Sequence, residues 1–355
     1  MPAVLSFTER VLRSIHFLPT PVMDAFGAVI FARALTVGLR RGLFESLAWR
    51  RLTIEEISRE TGLTPEGTRL LAEACVAGGY IEKKGEKYSD SAEGRKWLVR
   101  SSETYLGDLL YYFDSLNSRL GGMEYSLEHG GPREPYYASF TDADWETYVR
   151  GMANLARLLI PDVIRRIRLP ESGARILDLG GSHGLYALAC SRKSPGGIAV
   201  VMDFEPALRA AAAIHEGGPG KGIFMTAGDI LTSPLPPGQD AVLMFNVLHG
   251  FDGPGSRSLI ERAAETLREG GRLYILDQMT GAVGVSFLSR FLPLMVGLNL
   301  MNEIGGSAHT VARMREWCAG AASFRVMPLK FPGVTLIEAG DWRPPRRTGN
   351  GTPGA

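Results

Sequence analysis

The chain has 355 residues, 45% of them apolar and 22% charged, and its 39 basic and 38 acidic residues leave a net charge of +1. That is the make-up of a globular chain long enough for two domains, with no overall electrostatic footprint for a nucleic-acid backbone. Cys75, Cys190 and Cys318 stand far apart with no C-x-x-C spacing, which excludes a disulfide framework or a zinc ribbon and fits reduced, buried thiols in a cytoplasmic protein.

Glu9, Arg10 and Arg13 interrupt the first apolar positions, so no signal-peptide core is expected. From Ala25 to Leu47 apolar residues recur every three or four positions, which predicts amphipathic helix. Thr53 and Glu56 have capping-box spacing and open a short helix. Thr64-Pro65-Glu66 opens another, running through Leu70, Leu71 and Cys75 to a stop at Gly78-Gly79. Residues 80–83 and 86–89, joined across Lys84-Gly85, predict a hairpin. Helix, helix, hairpin is the winged-helix order. Its second helix offers Glu66, Arg69 and Glu73, and Glu82 and Glu86 dilute Lys83, Lys84 and Lys87. A groove-reading helix presents Arg, Lys, Asn or Gln, so packing and dimerisation are expected there in preference to DNA binding. Residues 101–169 read as mostly helical, broken at Gly130-Gly131-Pro132, with one long amphipathic helix from Trp145 to Ile167.

Beyond residue 169 strand and helix alternate. Apolar runs at 174–179, 198–202, 223–227, 241–245 and 271–276 alternate with helical patterns at 185–192, 206–215 and 259–267. Continuous apolar strands separated by helices mean a parallel sheet covered on both faces, a doubly wound α/β architecture. Residues 324–327 and 334–339 would add an antiparallel edge. The most apolar stretch, Gly281 to Met301, is interrupted by Arg290, Pro293 and Asn299 and reads as pocket-lining helix; no membrane role is expected. The Pro-, Gly- and Arg-rich end, 343–355, is expected to be a disordered tail.

In such a sheet the ligand lies outside the carboxyl ends of the strands, where Asp178, Asp203, Asp229, His249 and Asp277 concentrate. A dinucleotide would want G-x-G-x-x-G, but Leu179 holds the first glycine position, and Asp178 places a carboxylate where phosphates would sit. A cationic ligand with hydroxyls suits these acids better. Asp203 at the second strand end would accept from ribose hydroxyls, and Asp229 after the third from an adenine amino group.

The run Asp178-Leu179-Gly180-Gly181-Ser182-His183-Gly184 resembles the first motif of S-adenosylmethionine-dependent methyltransferases. Together with Asp203, Gly228-Asp229, Val247-Leu248-His249 and Leu267-Arg268-Glu269-Gly270-Gly271-Arg272, it is similar to the small-molecule O-methyltransferase family that includes the plant caffeic acid enzymes and bacterial natural-product enzymes. The resemblance covers nearly the whole chain. It implies a Rossmann-like methyltransferase sheet at 169–342 after an N-terminal, mostly helical winged-helix dimerisation domain at 1–100 and a helical linker at 101–168, assembled as a homodimer. It implies S-adenosylmethionine as cofactor, with S-adenosylhomocysteine as product. The residues expected to hold it are Asp178, Gly180, Gly181, Gly184, Asp203, Phe204, Gly228, Asp229, Ile230 and Phe245. His249 would be the general base and Asp277 its carboxylate partner, with Met152, Phe291 and Met295 lining the acceptor pocket. Ser182 stands where the family has a third glycine. His249-Gly250-Phe251 replaces His-Asp-Trp, and Ala308 replaces a second family glutamate, so one carboxylate beside His249 is expected instead of two.

The expected reaction is methyl transfer to a small aromatic or apolar acceptor at a hydroxyl. The alternatives are S-, N- or C-methylation, a non-methylating use of the same fold, or a DNA-binding regulator. A phenol of pKa about 10 costs about 4 kcal/mol to ionise at pH 7, and an oriented general base offsets much of this, being worth roughly 10² to 10⁴. His183 reads as a loop residue and His309 as an exposed helix-start residue. The three histidines lack ligand spacing, so no metal is expected.

Overall fold

The computed structural model describes residue 15 and residues 19–215, 218, 220–281 and 286–342; the tail expected at 343–355 lies outside the described residues. The chain forms two compact units, one of Met1–Ser118 with Arg150–Leu158, the other of Arg119–Val149 with Leu159–Ala355.

The first unit opens with α1 (Thr20–Arg40) and α2 (Leu43–Leu47). The single helix expected over 25–47 is two, because Gly42 between them takes the left-handed φ of +71° and turns the chain. In α3 (Ile54–Thr61) the Thr53 hydroxyl accepts from the Glu56 amide, and the Glu56 carboxylate accepts from the Thr53 amide at 2.7 Å, which completes the anticipated capping box. After α4 (Pro65–Ala77), β1 (Ile81–Lys84) and β2 (Lys87–Asp90) pair antiparallel with Lys84 opposite Lys87, one residue later than expected. Leu43, Phe44, Leu47, Ile57, Ala72 and Cys75 form the core of this unit. Lys83 is ion-paired to Glu73 at 2.6 Å, so part of the hairpin's basic charge is already answered. Two further helices follow, α5 (Ala92–Leu98) and α6 (Gly107–Leu116). Arg33 and Arg40 of α1 both reach Asp114 of α6, at 2.5 and 2.7 Å. Nearer its start, α1 leaves Val22, Phe26, Val29 and Ile30 exposed. Among the described residues α1 is the helix long and apolar enough to cross a membrane by length and composition, with a mean hydropathy of 1.7; the 281–301 stretch singled out from sequence is not.

The second unit begins with α7 (Met123–His129) and α8 (Asp142–Arg166), a helix whose middle belongs to the first unit. A capping box of Thr141 and Asp144 starts α8 three residues before the expected Trp145. Its seven-stranded sheet runs β5-β4-β3-β6-β7-β9-β8. The parallel strands are β3 (Arg175–Leu179), β4 (Ile198–Asp203), β5 (Ile223–Ala227), β6 (Gln239–Phe245) and β7 (Leu267–Gln278). Strands β8 (Ala321–Pro328) and β9 (Val334–Trp342) add the antiparallel edge. Helices α9 (Leu185–Lys193), α10 (Glu205–Ala212) and α11 (Gly253–Glu265) connect the strands, and α12 (Phe287–Ile304) and α13 (Val311–Trp317) precede β8. Leu177, Leu179, Val242, Met244, Leu273 and Ile275 are buried in the core of this sheet. Strand order reverses between β3 and β6, which opens a crevice beyond their carboxyl ends.

Candidate active site

The crevice is built first by a tight turn. Gly180 leaves β3 at φ +68°, and a Cβ there would lie 2.6 Å from Val247 Cγ2, so only glycine lets this loop approach the end of β6. Ser182 follows at φ +39°, a left-handed position that a family glycine would occupy without strain. Its amide donates to Asp203 Oδ2 at 2.8 Å, while the Phe204 amide donates to Asp203 Oδ1 at 2.7 Å. The two amides fix the carboxylate at the end of β4, and each oxygen keeps a further lone pair. Burial pushes the Asp203 pKa up to about 6 against those two amide bonds. Asp229 is held likewise: its oxygens accept from the Leu231 amide and the Thr232 hydroxyl, both at 2.9 Å.

His249 sits in a short 3-10 turn, Leu248–Gly250. Its Nδ1 lies 2.6 Å from Asp277 Oδ1 and its backbone amide donates to Asp277 Oδ2 at 3.2 Å, so one carboxylate at the end of β7 fixes both ring and turn. With Nδ1–H donated to the carboxylate, the Nε2 lone pair is the basic site. Burial works against the imidazolium, but the Asp277 charge and hydrogen bond, with the Glu303 charge, outweigh it and raise the His249 pKa above its ordinary value. The Glu303 charge that contributes to this rise comes from the end of α12, five residues before Ala308.

A cavity of about 380 Å³, wholly within the second unit, brings together Gly180, Asp203, Phe204, Gly228, Asp229, Ile230 and His249. Tyr137, Trp145, Tyr148, Asn246 and Ile304 line it as well and were missed from sequence. The aromatic density of 136–148 is the signal that would have found the first three: Tyr137 stacks on Trp145 with ring centres 5.5 Å apart and meets Tyr148 edge-on at 5.7 Å. Asn246 holds φ +56° at the end of β6, and its side-chain oxygen accepts from Gln278 at 3.1 Å.

Other expected residues stand elsewhere. Asp178 is fully buried beneath the loop, where a Cβ on Gly181 would lie 2.5 Å from its carboxyl carbon. Burial, then the Asp203 charge, push its pKa up to about 8; it shapes the loop from below and does not line the cavity. Gly181, Gly184 and Phe245 also lie off the lining, Phe245 packing edge-on against Tyr186 at 4.8 Å. Phe291 and Met295 are 40% and 42% exposed on α12 and do not line the cavity, since that helix is apolar all round and its pattern marks no inner face. Met152 falls in the first unit, half-buried in α8.

His309, expected to be exposed, is 4% exposed. Its Nε2 lies 3.1 Å from both the Leu248 and Phe251 carbonyls, which ties down the turn that carries His249. His183 Nδ1 accepts the Leu185 amide at 3.2 Å at the start of α9. Among the described residues no group of three or more His, Cys, Asp or Glu has a metal-holding arrangement. A larger groove of about 1000 Å³ lies where β7 begins, around Arg268 to Gly271, Trp317 and Trp342, and none of the expected site residues lines it.

The cavity lining carries Asp203 and Asp229 and, among the described residues, no Lys or Arg. That donor set fits a cation bearing hydroxyls and does not fit a pyrophosphate. Comparisons with known proteins agree. An O-methyltransferase domain model matches residues 111–325. The chain is 25% identical over 339 residues to 3-hydroxy-5-methyl-1-naphthoate 3-O-methyltransferase of Streptomyces sahachiroi, covering 91% of this chain and 95% of that one. It is 26% identical over 329 residues to acetylserotonin O-methyltransferase of Mus musculus, covering 86% and 84%. The crystal structure of human N-acetylserotonin methyltransferase in complex with S-adenosylmethionine superposes with a TM-score of 0.80 at 20% identity, over 97% of this chain and 100% of that one.

Proposed function

Because the chain belongs to the O-methyltransferase domain family, whose members depend on S-adenosylmethionine, we propose that it methylates a phenolic hydroxyl of a small aromatic acceptor with His249 as general base. The observation that carries this reading is the His249 Nδ1–Asp277 contact of 2.6 Å at the wall of the cavity. S-adenosylmethionine, when bound, supplies an electrophilic methyl group on a sulfonium.

The rest is done by side chains of this chain. Asp203 binds the ribose hydroxyls through the lone pairs its amide partners leave open. Gly180 and Gly228 would let the backbone close on the ligand, Phe204 and Ile230 would cover the adenine, and Asp229 would accept a hydrogen bond from its amino group. Gly181 and Gly184 complete the 180–184 loop, Asp178 supports it from beneath, and Phe245 packs on Tyr186 behind it. His249 Nε2 takes the proton of the acceptor hydroxyl, and Asp277 holds the tautomer and stabilises the imidazolium. Tyr137, Trp145 and Tyr148 stack on the acceptor ring. Burial pushes the Tyr148 pKa up to about 12. A relative that acts on a naphthoate and another that acts on acetylserotonin support a fused or bicyclic aromatic acceptor.

The residue ranges 1–100, 101–168 and 169–342 serve in this reading as winged-helix dimerisation domain, helical linker and methyltransferase domain. The exposed stripe Val22, Phe26, Val29 and Ile30 supports a homodimer through the first unit. Three buried free cysteines support a cytoplasmic setting.

The test is calorimetric titration with S-adenosylmethionine and S-adenosylhomocysteine, followed by a mass-spectrometric screen of naphthols, phenols, thiols and amines. Binding of both ligands with methylated phenols bears the reading out. Binding with methylation only of thiols or amines would replace the hydroxyl acceptor, and binding without any methyl transfer would leave the fold serving another reaction.

A further inference from the structure

His309 lies off the cavity wall, in the stretch between α12 and α13. The two carbonyls that its Nε2 meets at 3.1 Å flank the base: Leu248 precedes His249, and Phe251 follows it by two residues. Carbonyls only accept, so Nε2 carries the ring hydrogen and shares it between them. The opposite tautomer has no use here, because Nδ1 is buried without a hydrogen-bond partner. Trp317 meets the ring edge-on with centres 4.8 Å apart, which wedges it in place. The Ser256 hydroxyl also donates to the Leu248 carbonyl, at 3.2 Å, but His309 is the group that joins that carbonyl to the Phe251 carbonyl across the base. The main chain around His309 braces the same pair. The Ser307 amide donates to the His249 carbonyl at 2.8 Å, and Gly306 sits so near that a Cβ would lie 2.2 Å from that oxygen. The His309 carbonyl accepts from the Thr280 amide at 3.1 Å, three residues beyond Asp277, and the Thr280 carbonyl accepts from the Val311 amide at 3.1 Å. One short stretch, 307–311, is therefore bonded both to the turn that carries the imidazole and to the chain that leaves β7 just past its carboxylate.

The turn that carries the base is only three residues long and contains Gly250, so little within it resists rotation. We propose that His309 is a positioning residue for methyl transfer: its Nε2–H, shared by two carbonyls, sets the turn so that His249 keeps Nδ1 on Asp277 and presents Nε2 to the acceptor hydroxyl. This rests on the methyltransferase reading above. His309 acts through His249 and touches no reacting atom. A misplacement of about 1 Å far from the chemistry costs roughly 10²-fold in rate, and removing the shared donor leaves two carbonyls free to turn away from it. Asp203 and Asp229 are fixed by bonds of their own, so the loss falls on turnover and spares cofactor affinity.

The experiment uses the full chain and two variants that separate donor from ring. His309→Gln keeps an amide nitrogen at the reach of Nε2 and removes the ring, whereas His309→Phe keeps a ring against Trp317 and removes the donor. Calorimetric titration of the wild type with S-adenosylhomocysteine comes first, and no binding removes the methyltransferase reading itself. The brace is then read without any acceptor, by proton–nitrogen correlation NMR of the His249 ring, assigned through its loss in His249→Ala. The His249 nitrogen shifts are expected to move in His309→Phe and to stay near wild type in His309→Gln. Unmoved shifts in His309→Phe, or equal changes in both variants, overturn the proposal. On a hydroxyl acceptor that the wild type methylates, His309→Phe is expected to lower kcat about tenfold to a hundredfold with KM and S-adenosylhomocysteine affinity held, and His309→Gln to restore most of it. A His309→Phe variant as fast as wild type, or a His309→Gln variant as slow as His309→Phe, overturns it equally, the second outcome leaving His309 a packing residue. Should His309→Phe fail to fold, His309→Asn, whose amide is one bond shorter than that of Gln, takes its place with the same expectations.

Discussion

At the scale of single residues, the site works by holding carboxylates with backbone amides and with one imidazole. Asp203 is the sharpest case, with an amide on each oxygen. Asp203→Ala is expected to weaken S-adenosylhomocysteine binding about tenfold or more, since charged hydrogen bonds are each worth roughly 1.5 to 3 kcal/mol; unchanged affinity by calorimetry would remove the ribose assignment. His249→Ala is expected to cut turnover on the true acceptor by roughly 10² to 10⁴ while cofactor affinity holds. A variant as fast as wild type would show that another group takes the proton. Ser182 carries a side chain at φ +39° with its hydroxyl buried and unpartnered. Ser182→Gly is therefore expected to leave stability unchanged or raise it by about 1 kcal/mol, and a lowered melting temperature would mean that the hydroxyl has a role of its own. These acids and His249 stand at strand ends, which is why periodicity alone exposed them. His309 was not legible in that way: it is distant in sequence from His249 and reaches the turn that carries it only through the packing of the chain before α13.

At the scale of elements, helix starts followed local chemistry closely. Thr53 with Glu56, Thr64 before Pro65, and Thr141 with Asp144 cap their helices through bonds between neighbours in the chain. Helix α12 is the opposite case. It is apolar on every side, so its pattern named no face, and Phe291 and Met295 are exposed while Glu303 is buried. Helix α1 shows a clear stripe, and the homodimer proposal makes a direct claim on it. Phe26→Glu combined with Val29→Glu is expected to convert a dimer to monomer in sedimentation at micromolar concentration, with the helical circular dichroism retained. A wild type that sediments as monomer would move that stripe to another partner.

At the scale of the whole molecule, buried acids predict how stability depends on pH. Burial pushes Asp178 up to about 8 and Asp90 up to about 7, with Asp203 at about 6. Each folded-state pKa lies above the unfolded value, so the folded protein binds more protons between about pH 4 and pH 8 and loses this stabilisation as pH rises through that window. Carboxylates with lowered pKa, such as Asp114 and Glu338 beside arginines, act the other way and lose their stabilisation as pH falls below about 4. The melting temperature is expected to fall between pH 5.5 and pH 8.5, and Asp178→Asn to flatten that fall; an equally steep variant would show that Asp178 is not the proton carrier. The alternating pattern of strands and helices, the caps, the glycine turn and the acids at strand ends were all determined by the sequence itself, because each depends on residues a few positions apart. Only the tertiary structure decided that Asp178 lies off the cavity wall, that Tyr137, Trp145 and Tyr148 line the cavity, and that His309 ties down the turn carrying His249. Those facts depend on how segments distant in sequence pack together, which no local pattern encodes.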